Sequence, residues 1–576
     1  MSFWDIKKRI CFKFRLENLY LTGLCLLIFS LCICIIILSL VPPISRDALV
    51  HHLAIPKLYL EHGGIVPFPC MSYSYYPMNL DLLYMVSLYL GSDIAPKFIH
   101  FAFALMTAVL IFRYLKKRMD SIWGLGGVFL FLSIPIIIKL SITVYVDLGL
   151  MFFSTAALLA LVKWIESKFK LQFLLLAGAC CGLAMGTKYN GLIVFFLLTM
   201  FVTFIFSRFN RQVSKAGIKS IAAGLIFGLV ALTVFSPWMI RNYIWTKNPV
   251  YPLYNKFFNV EMNPACPIRL KNVELKDAEK KNINIGRFAY RKFMYNEEWW
   301  ETALLPIRIF FQGKDNDFKF FDGRLSALLL ILPVFAFVAS HGKNDLYRVE
   351  KFIFLAFCGL FILFTMVSSG VRIRYLSPAI PSLVILSLYG LKNLMDNKCY
   401  SRQLSFIKRM GPFVLVFAMA LYMVWNNGGY LVEQFKYVKP CSYISGMVSR
   451  DSYIKDFRHE YAAFQYINEH LPLDSKVMFF YIGKRGYFCN REYFPDEGGN
   501  IEFLYTLLRF FTSPLKIKQE FQKRGITHLM INNFLFKQRL YTDFKQDKKK
   551  LFLEFINNLN ENLFDANGFS VYKIKL

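Results

Sequence analysis

Acidic residues are scarce in this chain: 38 Asp and Glu stand against 68 Lys and Arg in 576 residues, for a formal charge of +30. Charge of both signs reaches only 18%, which excludes an intrinsically disordered chain, whose solubility rests on a charged and apolar-poor composition. A nucleic-acid module is excluded too, because its Lys and Arg would form a face on a folded domain, whereas here they punctuate apolar runs. There is no GxxxxGK[ST] loop, no GxGxxG opening a helix after a strand, no HExxH and no GxSxG. Nucleotide-driven transport and zinc proteolysis lose their usual signatures. The twelve cysteines show no CxxC spacing, so a zinc or redox centre of that type is absent, as are internal repeats, low-complexity tracts and Gly/Ser linkers.

What the chain has is apolar surface. Apolar side chains make up 56% of it and aromatics 17%, with a mean hydropathy of +0.40, against about 45–50% apolar in ordinary soluble domains. Leu19 to Val41 is 23 residues without a charge, enough to cross a hydrocarbon core of about 30 Å at about 1.5 Å per residue. Too long for a signal-peptide core and followed by Val41-Pro42-Pro43 rather than a small-residue cleavage site, it reads as a retained helix. Further spans are predicted near 94–113, 121–138, 147–163, 171–187, 189–207, 218–238, 324–340, 352–369, 375–391 and 411–428, making eleven. The expected fold class is a polytopic α-helical membrane protein with a small C-terminal α/β domain outside the membrane.

Cation-rich segments at Lys7–Arg15, Arg113–Arg118, Lys163–Lys170, Arg208–Lys219, Lys343–Lys351 and Lys392–Arg409 place the N-terminus in the cytoplasm. Loops 42–93 and 237–322 then lie outside, as does the tail. The predicted division is a multi-spanning domain over 1–430 and an extracytoplasmic α/β domain over 431–576. In the tail, β-like runs at Lys476–Ile482, Ile526–Ile531 and Phe569–Ile574 alternate with helical stretches around 513–523 and 547–560. Four cysteines fall on the outer side of the membrane, Cys70, Cys266, Cys441 and Cys489. They are open to disulfide pairing in an oxidising compartment or to a plain apolar role.

Ionisable residues are costly at membrane depth, and so mark function. Arg46-Asp47 follows the first span, ahead of Ala48–Gly64, whose Leu49, Leu53 and Leu60 suit an amphipathic helix at the interface. Asp147 opens the fourth span, at the same depth as Asp47. Each also fits a helix-start acid. Lys188, with Tyr189, interrupts about 36 uncharged residues and also fits a cation snorkelling to the headgroups. Arg241 and Asn242 lie in Pro237-Trp-Met-Ile-Arg-Asn, and Arg372, Arg374 and Tyr375 stand at the entry to the tenth span, where an Arg pair can hold a phosphate. No cofactor is demanded. A divalent cation is the one candidate, on His51, His52 and His62, but spacings of 1 and 10 residues are not a ligand signature, and interface histidines suffice. Asp81, in Pro77-Met-Asn-Leu-Asp81, reads as a helix-entry acid.

In this order, Arg46-Asp47, Tyr145-x-Asp147, Gly182 to Tyr189, Pro237 to Pro252 and Arg374 to Pro381 resemble the GT-C glycosyltransferases, nearest the protein O-mannosyltransferase and aminoarabinose transferase group. The resemblance runs from residue 20 to about 395, and the tail is similar to the extracytoplasmic domain of some members. It implies a polyprenyl-phosphate sugar donor, an extracytoplasmic acceptor (protein, lipid or envelope polysaccharide), an acid of the first outer loop at the catalytic centre and no nucleic-acid partner. Carried over, Asp47 is the catalytic carboxylate and Asp147 a second acid. Arg46, Lys188, Tyr189, Arg241, Asn242, Arg372, Arg374 and Tyr375 attend the donor phosphate. Direct displacement with Asp47 as general base would invert the anomeric centre. Where many members have two adjacent acids this chain reads Arg-Asp-Ala, and Trp299-Trp300 does not continue into the WWDYG of oligosaccharyltransferases. A transporter or flippase of a lipid-linked substrate, or an envelope glycan polymerase or ligase using a diphosphate-linked donor, would draw on the same charges. No retention signal ends the chain, which points to a bacterial inner membrane.

Overall fold

The computed structural model describes residues 3–212, 215–258, 287–337, 345–368, 370–396, 421–495 and 511–575, with single residues at 414, 418, 419 and 508. Seven of the described helices are long and apolar enough to cross a membrane: Asn18–Ser39, Ala95–Arg118, Asp147–Glu166, Gly191–Phe209, Ala216–Thr246, Tyr347–Val367 and Ile373–Met395. The pair Ser121–Ser133 and Pro135–Ser141, bent by 69°, adds an eighth if it is one span. The bend falls at Ile134, which a following proline bars from the helical region. Leu171–Thr187 is apolar but shorter. The run predicted at 324–340 holds only Leu328–Phe335, with Pro333 inside it, and most of 411–428 lies outside the described residues. The protein is an integral membrane protein, its exposed Leu26, Phe29, Phe204, Leu225 and Leu229 being ordinary on a lipid-facing helix.

Two departures from the sequence reading move the site. The helix Ala216–Thr246 runs straight through Pro237, so the loop expected from 237 starts ten residues later. At about 1.5 Å per residue its 31 residues measure roughly 46 Å, more than a bilayer core of about 30 Å. It is therefore longer than a bilayer core. The segment after Asp47 is not an exposed amphipathic helix: a π-helical turn, Ala48–His52, leads into Ala54–Glu61, with Ala48, Leu49, Leu53, Ile55 and Tyr59 all buried. Such π-turns are frequent at functional sites.

Small residues set the helix packing around the hairpin tip. A Cβ on Gly178 would meet the Phe227 carbonyl oxygen at 3.0 Å, and one on Gly182 the Ala231 carbonyl oxygen at 2.5 Å. Glycine spaced by four thus lets Leu171–Thr187 lie directly on Ala216–Thr246. The first of these helices ends at Lys188, which is extended (φ −162°, ψ 143°), and Gly191 starts the next. Lys188 and Tyr189 are held at the tip of a tight helical hairpin.

No break occurs at residue 430, where a π-helical turn, Val424–Gly428, feeds directly into Gly429–Val438. The C-terminal sheet has five strands: β1 (Lys476–Phe480), β2 (Glu492–Phe494), β3 (His528–Asn532), β4 (Asn560–Ala566) and β5 (Phe569–Ile574), in the order β2-β1-β3-β5-β4. β1 is parallel to β2 and β3, while β5 is antiparallel to β3 and β4. Alternation along β1 sorts its side chains. Met478 and Phe480 join Ile517, Phe521, Phe552 and Phe555 of the helices Pro514–Lys523 and Gln546–Leu559. Val477 and Phe479 belong instead to the apolar cluster that continues through Phe464 into the bundle. The sheet domain is therefore packed against the helices, on the side that carries the loops after Ser39. Cys70 is disulfide-bonded, Cys441 and Cys489 are free, and Cys266 lies outside the described residues.

Candidate active site

Where the bundle meets the sheet domain, a cavity of 1280 Å³ opens, larger than the roughly 300–1,000 Å³ of common small-molecule sites. Eleven Lys and Arg side chains line it against five carboxylates, so it favours an anion. Asp47, directly before the π-helical turn, accepts from Arg374 at 2.6 Å. Arg374 comes from a 3-10 turn, Ile373–Ala379, which is pinned when the Ile373 N–H donates to the Phe321 carbonyl oxygen at 2.9 Å. Its guanidinium stands 4.8 Å from the Tyr145 ring centre and 5.3 Å from that of Tyr375, and its buried Nε has no hydrogen-bond partner. Burial pushes the Asp47 carboxyl up, but the Arg374 charge overrides it and holds the group below the usual carboxylate range.

Lys188 donates to Asp147 at 2.6 Å and lies 5.0 Å from the centre of the Tyr375 ring. Arg372 reaches the cavity over Phe318, at 4.4 Å, and Arg46 is exposed at its rim. Asp47, Arg46, Lys188, Tyr189, Arg372, Arg374 and Tyr375 thus share one cavity.

Three of the residues grouped with them do not line it. Asp147, expected as a second acid, is fully buried behind Lys188, with which it pairs. The start of its helix is fixed by His100, whose Nε2 accepts the Leu148 N–H at 3.0 Å while Nδ1 meets the Leu140 carbonyl at 2.9 Å. Arg241 and Asn242 sit away from the cavity. Arg241 stacks between Trp238 and Trp245, at 4.5 and 4.8 Å, and donates to the Tyr76 carbonyl at 3.0 Å. Asn242 donates to the Tyr75 carbonyl at 2.9 Å and to the Tyr189 hydroxyl at 3.1 Å. These bonds pin the turn Ser72–Tyr75 to the helix end, outside the cavity lining, and Arg241 Nη1 is buried there without a partner. Tyr189 lines the cavity, but its hydroxyl is spent on the Tyr251 carbonyl at 2.7 Å.

The structure pairs residues that the sequence left as interface histidines and a helix-entry acid, and adds others it did not single out. His52 Nδ1 lies 2.7 Å from Asp81 Oδ1, both side chains buried in the cavity wall. Burial lowers the His52 imidazole to about 3 and raises the Asp81 carboxyl to about 7, so near neutral pH the imidazole is neutral and the carboxyl titrates. His51 stacks on Tyr73 at 4.6 Å with its buried Nδ1 unpartnered. His62 bonds the Leu58 carbonyl at the far end of Ala54–Glu61 and does not join the other two histidines. Lys139 bridges Asp315 and Asp322 at 3.2 Å each.

From the tail, Lys484 donates to the Ser72 hydroxyl at 3.2 Å and lies 4.8 Å from the Tyr73 ring centre. Arg458 binds the Ile44 carbonyl, three residues before Asp47. Lys57 answers by donating to the carbonyls of Tyr487 and Cys489, each at 2.9 Å. The only sequence signal for these groups was their position in segments predicted to lie outside.

Residues 83–240 match the family model of dolichyl-phosphate-mannose-protein mannosyltransferases. Among solved structures, ArnT from Cupriavidus metallidurans in the apo state is similar over 96% of this chain and 98% of its own, with a TM-score of 0.52 at 11% identity. The same protein bound to undecaprenyl phosphate is similar at 0.51, with 97% of each chain covered and 11% identity. The apo oligosaccharyltransferase of Archaeoglobus fulgidus is similar over 90% of this chain and 70% of its own, at 0.52 and 11% identity. No curated protein matches by sequence. At such identities the likeness is one of fold.

Proposed function

We propose that this membrane-embedded glycosyltransferase of the GT-C type moves a single sugar from a polyprenyl-phosphate donor to an acceptor hydroxyl on the extracytoplasmic side, in a bacterial inner membrane. The observation that carries the reading is the Asp47–Arg374 pair, a carboxylate and a guanidinium 2.6 Å apart in a cation-lined cavity. A lipid monophosphate leaves well when preorganised cations meet its developing charge in a partly dry cleft. Arg374 and Lys188 occupy the inner wall, with Arg372 and Arg46 towards the rim, and supply that charge without a metal. The undecaprenyl phosphate bound by ArnT supports a donor of this class.

Asp47 is the general base of this reading. In the free protein Arg374 takes up its charge. A donor phosphate competes for the same guanidinium, and the carboxylate grows more basic as the phosphate draws Arg374 away. Attack opposite the leaving phosphate inverts the anomeric centre, and Asp147 lies behind Lys188. The test is a reconstituted assay with radiolabelled polyprenyl-phosphate hexose or pentose and an envelope extract as acceptor source, comparing the wild type with Asp47→Asn. Transfer of label that requires Asp47 is expected. Label that merely crosses the bilayer would replace this reading with transport.

A further inference from the structure

We propose that the His52–Asp81 pair in the cavity wall is the proton acceptor behind Asp47, receiving the proton that the acceptor hydroxyl loses during transfer. The proposal rests on the transfer reading above. It starts from a step that reading leaves open: Asp47 must return to its carboxylate, paired with Arg374, after each transfer, so the proton it takes up needs somewhere to go. His52 stands five residues along the chain from Asp47, at the end of the π-helical turn that Asp47 precedes, and lines the same cavity. Its Nδ1 is spent on Asp81 at 2.7 Å, which leaves Nε2 as its second proton site. Asp81 sits in the first turn of the helix Asn79–Tyr89 and is 2% exposed, too buried to have been placed there as a solvated helix-entry charge.

The charges facing the pair are few. Asp81 faces His51 and His52 from the π-helical turn, Lys188 from the hairpin tip, Tyr59 from Ala54–Glu61 and Tyr84 from its own helix. His52 further faces Asp47, Asp147 and Arg374. None of these cations donates to Asp81: Lys188 is committed to Asp147 and Arg374 to Asp47. Burial therefore decides the balance, and favours a neutral acid beside a neutral imidazole over an ion pair.

The step balances over one proton. The acceptor oxygen bonds to the anomeric carbon as the carbon–oxygen bond to the phosphate breaks, its electron pair leaving with the phosphate. The hydroxyl proton passes to Asp47 and then to His52 Nε2, while the proton on His52 Nδ1 moves to Asp81. Asp47 returns to carboxylate, His52 stays neutral throughout, and Asp81 ends as the acid. His52 and Asp81 act through Asp47 and are positioning residues for proton transfer.

Two readouts test this on the full chain in lipid nanodiscs. The first is independent of transfer: the infrared carboxylic-acid stretch lost in Asp81→Asn should titrate in the wild type near neutral pH. The second is the rate of sugar transfer, which in the wild type should rise with pH through the same midpoint, because the pair must start deprotonated. In Asp81→Asn that inflection should vanish and kcat fall about 100-fold with the donor KM unchanged, a split that a packing defect would not produce. Should Asp81→Asn not fold, His52→Gln should keep the infrared band and lose the inflection. An Asp81 already ionised at pH 5, or a variant that keeps the wild-type inflection, would overturn the proposal. A wild type that titrates as expected yet transfers no sugar at any pH would instead overturn the transfer reading.

Discussion

Two ends of the same bundle carry buried ion pairs, and they differ in whether anything is left over. At the end away from the sheet domain, Glu350 is fully buried and accepts from Arg118 Nε at 2.9 Å, from Arg118 Nη2 at 2.5 Å and from the Tyr114 hydroxyl at 2.7 Å. Glu166 takes Arg118 on one oxygen and Lys117, at 2.6 Å, on the other. These residues join the helices Ala95–Arg118, Asp147–Glu166 and Asp345–Ser368, and none of them lines the large cavity. At the other end Arg374 Nε and His51 Nδ1 are buried without partners, beside an open cavity. Native proteins rarely leave buried polar atoms unsatisfied, so leftover capacity next to space marks a place for a ligand, whereas a closed network marks a joint between helices.

The comparison is tested most severely by Asp47→Asn, which should lower transfer by about 1,000-fold while the protein stays folded, since one carboxylate oxygen becomes an amide of the same shape. Wild-type turnover in that variant would remove Asp47 from the site. Glu350→Ala should do the reverse, costing about 1–3 kcal/mol of stability by leaving the buried Arg118 with Glu166 alone and removing an acceptor from Tyr114. Thermal unfolding in detergent reads the loss, and donor affinity measured on the surviving folded fraction should be unchanged. Arg374→Ala should weaken donor binding roughly 10- to 100-fold, the worth of a charge-assisted hydrogen bond. Titration with labelled donor measures it, and unchanged affinity would send the phosphate elsewhere. The smallest effect is expected from a chelator: with four cations in place of a metal, transfer should change by less than about twofold. A chelator that abolishes transfer would show that a metal is required.

The outcome of the sequence reading differs by element. Long apolar helices were legible because charge is costly in hydrocarbon, but of the eleven spans expected the described residues hold seven, or eight with the bent pair. The strands β1, β3 and β5 and the helices between them were legible from periodicity. The three-residue β2 was too short to show a period, and the polar Asn-Glu-Asn start of β4 hid it despite the Asn567-Gly568 turn, with φ of 54° and 81°, that closes its hairpin. Pro237 read as a helix end but lies inside one. In the site, Asp47, Lys188 and Arg374 stood out as isolated charges. Arg241 stood out equally, and for an unrelated reason: it needed two tryptophans to stack on.

By itself the sequence determined that this chain lies in a membrane, which of its segments are apolar enough to cross it and which few ionisable residues stand at the membrane's edge. Those are properties of composition along a line, set by the cost of transferring each residue from water. Only the tertiary structure decided that Asp47 meets Arg374, that Asp81 meets a histidine 29 residues away, that Asp147 stands behind Lys188 and that the tail closes the cavity with Lys484. Such pairings depend on how helices distant in sequence pack and on which face of each turns inward, and no local pattern encodes either.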